Sequence, residues 1–147
     1  MGMLDKTQQI EDWELLAHFS QAYRNLSNTF MDQIEMHRAQ AKVLCKLFVQ
    51  DGMTQSEIAQ QLSVQGATVT DMLQRMEETG LISRQRDSGD NRLVRVYLTD
   101  TGREKERFIT EQFVKLERAI FADFDESERV ILRQFLNRML RNMSTEH

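Results

Sequence analysis

The residues best suited to chemistry lie between positions 54 and 98. Along residues 67–79, Thr68, Thr70, Asp71, Gln74 and Arg75 share one side of a helical wheel, and Val69, Met72, Leu73 and Met76 the other. A strip of short hydroxyls, one amide and one guanidinium suits a DNA groove, because Gln pairs well with adenine edges and Arg with guanine. Gly66, Ala67, Thr68 and Thr70 are small enough to let the N-terminus of this segment approach a phosphate backbone, where its amides and positive dipole end favour an anion. Further on, Arg84, Arg86, Arg92 and Arg95 fall within twelve residues, opposed there by Asp87 and Asp90. Arg92 follows a Gly-containing turn on a ribbon, from which it projects toward an adjacent minor groove, with Asp90 placed to hold its guanidinium. The candidate DNA-contacting set is Thr54, Gln65, Gly66, Ala67, Thr68, Thr70, Asp71, Gln74, Arg75, Arg86, Asp90 and Arg92. Spacing alone leaves Thr68 and Thr70 open between a solvated surface and a contact, and Arg75 open between DNA and a pair with Asp71 or Glu78.

Other chemistries find no support. The single cysteine, Cys45, sits beside Leu44 on an apolar stretch with no second Cys to bridge, so it reads as a buried, inert thiol rather than an oxidant sensor. His18 and His37 are isolated, and Cys, His and carboxylates do not cluster at ligand spacing, so no metal or other cofactor is expected. The nine methionines read as core filler. Phosphate loops, nucleophile elbows and paired acid and base are absent from the pattern, and no enzyme is expected.

The elements that must position the strip follow from apolar periodicity. Trp13, Leu16, Tyr23, Leu26, Phe30 and Ile34 predict a long first helix, and Val43, Leu44, Leu47 and Phe48 a second over residues 39–50, with Gly52 just past its end. Thr54-Gln55-Ser56-Glu57 is a capping box ahead of a short helix to Leu62. A four-residue break at 63–66 leads into the 67–79 helix, which Gly80 ends. Residues 81–86 and 93–98 alternate about the Asp87-Ser88-Gly89-Asp90-Asn91 turn, predicting a hairpin with an exposed charged tip. Ile109, Phe113, Leu116, Ile120 and Phe124 predict a long fifth helix from Gly102 onward, and a second capping box at Asp125 and Glu128 starts a sixth. The fold class is therefore mainly α with a two-stranded β-wing: a winged helix-turn-helix lobe plus a helical dimerisation domain. Three long amphipathic helices at the chain ends carry more apolar surface than a small lobe can cover, which calls for a partner chain and a homodimer.

With 147 residues and no proline, the chain has the size of one domain, and its net charge is −4. That charge opposes a broad electrostatic hold on DNA, so the local Arg cluster must supply it. No apolar run approaches a membrane span, and the opening residues do not read as a charged-then-apolar leader. Together with the lone thiol this fits a cytoplasmic protein without membrane contact.

The order of elements, the Thr54 to Ala59 segment, Leu62 to Thr70, Glu77 to Ile82, and the run Asp87-x-x-Asp90-x-Arg92-x-x-x-Val96-x-Leu98-Thr99-x-x-Gly102 resemble the MarR family of bacterial and archaeal transcription regulators. The resemblance spans nearly the whole chain in helix order, but its specific part is residues 54–102. It implies a winged lobe over 39–100 and helical regions over 8–36 and 102–143 that intertwine in a homodimer, each lobe meeting a pseudo-palindromic double-stranded DNA operator. It implies repression relieved by a small aromatic effector held between lobe and helical region. Tyr23, Met31, His37 and Phe48 sit on helices bordering that junction, but core packing is the expected fate of each and none is named as a ligand site. Two positions depart from the family's habit: Gln65 stands where Ser or Thr often caps the recognition helix, and Asp71 where a basic residue is common. Both changes weaken phosphate contact, although Asp71 can accept from a cytosine amino group. The competing expectation is a dimeric winged-helix module that binds a protein rather than DNA, as the acidic net charge would allow.

Overall fold

The computed structural model describes residues 10–144. Helix α1 (Asp12–Asp32) is followed by α2 (Arg38–Val49), a two-residue strand β1 (Met53–Thr54), and the pair α3 (Gln55–Leu62) and α4 (Gly66–Glu78). Strands β2 (Ile82–Arg86) and β3 (Val94–Leu98) come next, then α5 (Asp100–Glu104), α6 (Glu106–Ile120) and α7 (Glu126–Ser144). The first two residues of the helical region expected over 8–36 lie outside the described residues.

The helix-turn-helix forms as its end signals dictate. Thr54 Oγ1 accepts from the Glu57 amide and the Glu57 carboxylate accepts from the Thr54 amide, both at 3.1 Å, which closes the capping box. Ser63 takes a left-handed conformation to end α3, and Gly80, at φ +80°, turns the chain out of α4 into the wing.

The two expected strands of the wing form as β2 and β3, and Met53 and Thr54 extend the sheet by pairing antiparallel with Val96 and Arg95, giving the order β1-β3-β2. A two-residue strand carries too little periodicity to be seen in sequence. Gly52 does not close α2. The helix ends at Gln50 in extended backbone, and Gly52, at φ +75°, belongs to the turn into β1. The long fifth helix is two helices, because Thr99 caps a separate first turn through Gly102 and the Lys105 amide then bonds to the Gly102 carbonyl, a three-residue closure that steps the chain before α6 begins.

The core lies under the lobe. Leu44 and Leu47 of α2, Met53 of β1, Ile58 of α3, Leu73 and Met76 of α4, Ile82 and Val96 of the wing, Met31 of α1 and Ile109 of α6 are each at most 2% exposed. Burying side chains of this size stabilises the fold by roughly 1.5–3 kcal/mol each before conformational entropy is subtracted. Asp51 ties the base of the wing to the following helix: its carboxylate accepts from the Leu98 amide and, at 2.8 Å, from the Arg103 guanidinium. The terminal helices are different. Trp13, Leu16 and Phe19 of α1 and Ile131, Phe135 and Leu140 of α7 stay exposed, and no described residue of α7 is buried. These side chains set the apolar periodicity of their helices but face away from the lobe core.

Candidate nucleic-acid interface

The interface rests on the exposed side of α4. Gln65, Gly66, Ala67, Thr68, Thr70, Asp71, Gln74 and Arg75 are all exposed, while Val69, Leu73 and Met76 anchor the opposite side. Gln65 occupies the N-cap without a side-chain cap bond, and no acidic residue stands in the first turn, so the first amides of α4 stay open to an acceptor from outside. Three of the polar side chains lean on their own helix. Arg75 pairs with Asp71 at 3.2 Å, the Gln74 amide reaches Glu78 at 3.4 Å, and the Thr70 hydroxyl donates to the Gly66 carbonyl at 3.0 Å. In free protein Arg75 therefore takes the surface pairing that its spacing left open, and an exposed pair of this kind is weak enough to be exchanged for a stronger acceptor.

Thr54 is corrected. It is buried and its hydroxyl is committed to the cap of α3, so it positions the helix-turn-helix and presents nothing at the surface.

At the wing tip the geometry is tight. The Asp90 carboxylate receives Nε and Nη2 of Arg92 at 3.0 and 3.1 Å and the Arg92 amide at 3.0 Å. Arg92 is nonetheless 89% exposed, a cation held in place at the end of a ribbon. The same bonds keep the Asp90 carboxyl below the usual carboxylate range and push the guanidinium up. Arg86, also exposed, donates to the Asn91 carbonyl at 2.8 Å and so braces the turn from the opposite strand.

The other two arginines of the cluster do not project, which narrows the basic surface to Arg86 and Arg92. Arg95 donates to Asp87 at 2.5 Å and to the Gly52 carbonyl at 2.9 Å, while Asp87 also accepts from the Gly89 and Asp90 amides. Those bonds, the Arg95 guanidinium first, hold the Asp87 carboxyl below its ordinary range. Arg84 lies between α4 and the sheet. Glu77 accepts from its amide at 2.9 Å and from Nη2 at 3.2 Å, and Gln55 accepts from Nη1 at 3.3 Å. Both networks escape sequence reasoning because their partners are 7 to 43 residues away. The one visible hint was a carboxylate at the end of α4 facing a strand that carries an unpaired cation.

Thr70 of α4, Gln55 of α3, and Arg86 and Val94 of the wing line a single open groove of about 360 Å³. Of the candidate contacts, Thr70 of the helix and Arg86 of the ribbon thus meet at one groove.

The model of the MarR family matches residues 36–94 of this chain. Beyond that span, an uncharacterised helix-turn-helix transcriptional regulator of Bacillus subtilis (strain 168), YwoH, is 31% identical over 118 residues, covering 78% of this chain and 85% of the relative. The chain belongs to the MarR family. A second B. subtilis regulator, YdgJ, is 27% identical over 134 residues, covering 91% of this chain and 82% of its own length. Among solved structures, the Staphylococcus aureus MepR–DNA complex superposes with a TM-score of 0.83 at 26% identity, covering 91% of this chain and 99% of that one. Membership makes the chain a transcription regulator of the MarR family and not an enzyme. No helix among its described residues is long and apolar enough to cross a membrane.

Core packing, the fate expected of the side chains bordering the effector junction, takes Met31 and Phe48. Met31 is fully buried in the core, Phe48 packs against that core, and Tyr23 stacks on Phe19 with ring centroids 6.4 Å apart. The groove that opens where the α1–α2 turn meets the end of α4 and the α5–α6 step is lined by Ile34, Met36, Gln40, Thr79, Leu81 and Lys105, and encloses about 270 Å³. Cys45 is half-buried on the core edge, and burial pushes its thiol pKa up.

Proposed function

We propose that this MarR-family protein is a homodimeric, sequence-specific repressor that sets α4 into the major groove of a pseudo-palindromic operator and the wing tip into the flanking minor groove. The observation that carries this is the Asp90–Arg92 fork: a guanidinium almost wholly exposed, yet fixed by two hydrogen bonds to a carboxylate that also accepts from the Arg92 amide, at the end of a ribbon that shares a groove with α4. A cation intended only for solubility needs no such restraint, whereas one that enters a narrow, negative minor groove gains from being ordered beforehand. Gln74 and Arg75 read base edges once their weak intrahelical partners are exchanged, and Gly66, Ala67 and Thr68 bring the open α4 amides to a phosphate.

Dimerisation is supported by the apolar sides of α1 and α7, where Trp13, Phe19, Phe135 and Leu140 stay exposed. The lobe of residues 39–100 and the helical regions 8–36 and 102–143 are the units of that assembly, and two-fold symmetry places the recognition helices about one DNA turn, roughly 34 Å, apart. A small aromatic effector in the groove beside Lys105 would release the operator by favouring another lobe angle. The test is a gel shift with the protein's own upstream region at low and moderate salt, alongside the mass of the free protein. A sequence-selective shift that weakens with salt, from a dimer, is expected. A monomer, or a shift without sequence preference, overturns the proposal, and capture of a protein partner without any DNA shift would favour the competing module.

A further inference from the structure

The groove between the helix-turn-helix and the wing contains a donor with nothing to donate to. Gln55, the first residue of α3, lines it together with Thr70 of α4 and Arg84, Arg86 and Val94 of the wing. Arg84 Nη1 donates to Gln55 Oε1 at 3.3 Å. A guanidinium has donors only, so the oxygen of the Gln55 amide must face Arg84 and its nitrogen must face elsewhere. That nitrogen keeps both hydrogens, since it meets no acceptor among the described residues. The orientation is fixed in turn by α4. The Glu77 carboxylate accepts from the Arg84 amide at 2.9 Å and from Nη2 at 3.2 Å, so an acid on the recognition helix holds the guanidinium that holds the Gln55 amide. Arg84 Nε is buried without an acceptor among the described residues, which leaves this wall with a surplus of donors. The charged groups that line the groove are Arg84 and Arg86 against Glu77, a net of +1 in a chain whose net charge is −4. The Thr70 hydroxyl gives its hydrogen to the Gly66 carbonyl and offers the groove only lone pairs.

We propose that this groove seats one phosphate of the operator backbone, with the Gln55 amide and the Arg86 guanidinium as its donors. The inference rests on the reading that α4 enters the major groove and the wing the flanking minor groove. The sugar–phosphate strand that divides those two grooves then has to cross between α4 and the wing, over the space that Gln55 and Arg86 line. Phosphate oxygens only accept, and they meet here an amide nitrogen locked as a donor and a cation. Arg84 is tied to α4 through Glu77 and to α3 through Gln55, so the same bonds fix the wing against both helices. The seat therefore exists in the free protein, and little ordering is left to be done on binding. Gln55 is a DNA-contacting residue, and Arg84 and Glu77 are the residues that position it.

Fluorescence anisotropy of the full chain on a duplex from its own upstream region, and on a random duplex of equal length, tests the seat, with a circular dichroism melt for each variant. Gln55→Glu keeps the oxygen that Arg84 needs, so its melting temperature should be unchanged or raised. It also sets a carboxylate against the phosphate, and binding should weaken at least about twentyfold. Gln55→Ala removes the donor without adding charge and should weaken binding about fivefold. Each factor should be the same on the two duplexes, because a phosphate carries no base identity. Gln21→Glu, the same change of charge on α1 outside the groove, should bind within about twofold of the parent. With a parent that binds selectively, the seat is overturned by parental affinity in Gln55→Glu, by a loss confined to the upstream duplex, by an equal loss in Gln21→Glu, or by a lowered melting temperature in Gln55→Glu. A parent that shows no preference for the upstream duplex would overturn the repressor reading and the seat with it.

Discussion

Substituting Asp90 by alanine separates two opposing effects at the wing, and the structure says which wins. The carboxylate orders Arg92 through three hydrogen bonds of 3.0–3.1 Å. Freeing a long side chain that must be immobilised again on binding costs about 0.5–1.5 kcal/mol. Against this, Asp90 repels phosphates. At roughly 7 Å in water that repulsion is about 0.6 kcal/mol, and screening over a Debye length of about 8 Å reduces it to about 0.25 kcal/mol. Ordering therefore outweighs repulsion by about 0.25–1.25 kcal/mol, and Asp90→Ala should weaken operator binding about 1.5- to eightfold. Arg92→Ala loses the contact itself, about 1–3 kcal/mol or at least fivefold. Because Asp90 acts through Arg92, the double variant should bind no worse than Arg92→Ala alone. Fluorescence anisotropy on a labelled operator at about 0.15 M salt, with circular dichroism melts confirming intact folding, reads all four proteins. Tighter binding by Asp90→Ala, or losses that simply add in the double variant, would show that the fork does not preorganise the arginine.

Three other outcomes follow from the same coordinates. A methyl group at Gly102 would run into the Leu81 carbonyl oxygen, which also accepts from the Thr99 amide, so Gly102→Ala should lower stability by about 1–3 kcal/mol, seen as a reduced urea midpoint; an unchanged midpoint would contradict the packing of α5 on the wing base. Asp87 is held below the ordinary carboxylate range by Arg95 and two amides, so its contribution is complete above that range and fades as pH falls through the lowered folded value. The difference in melting temperature between parent and Asp87→Asn should therefore be constant above about pH 5 and shrink below about pH 4, and a difference that grows with acid would reverse the assignment. Burial pushes the Cys45 thiol up, so alkylation by iodoacetamide at neutral pH should run at least about tenfold slower than with free cysteine, and peroxide should leave operator affinity unaltered; rapid alkylation would make Cys45 a sensor candidate.

Sequence by itself determined whatever is encoded within a few residues. The capping boxes at Thr54 and Asp125, the exit at Gly80, the polar strip of α4 and the Asp90–Arg92 pair all involve partners two to four positions apart or a local backbone requirement, and each was legible before any coordinates. Tertiary structure decided which of four clustered arginines face outward. Alternation along a strand assigns a side but not what waits there. Arg84 meets Glu77 and Gln55, and Arg95 meets Gly52, only because folding lays α4 and the α2–β1 turn against the sheet. The same holds for strand β1, which exists because β3 offers it a free edge, and for Thr54, drawn inside by that pairing. Short-range hydrogen bonds are specified by spacing, whereas long-range ones depend on which surfaces hydrophobic burial brings together, and no local pattern records that choice.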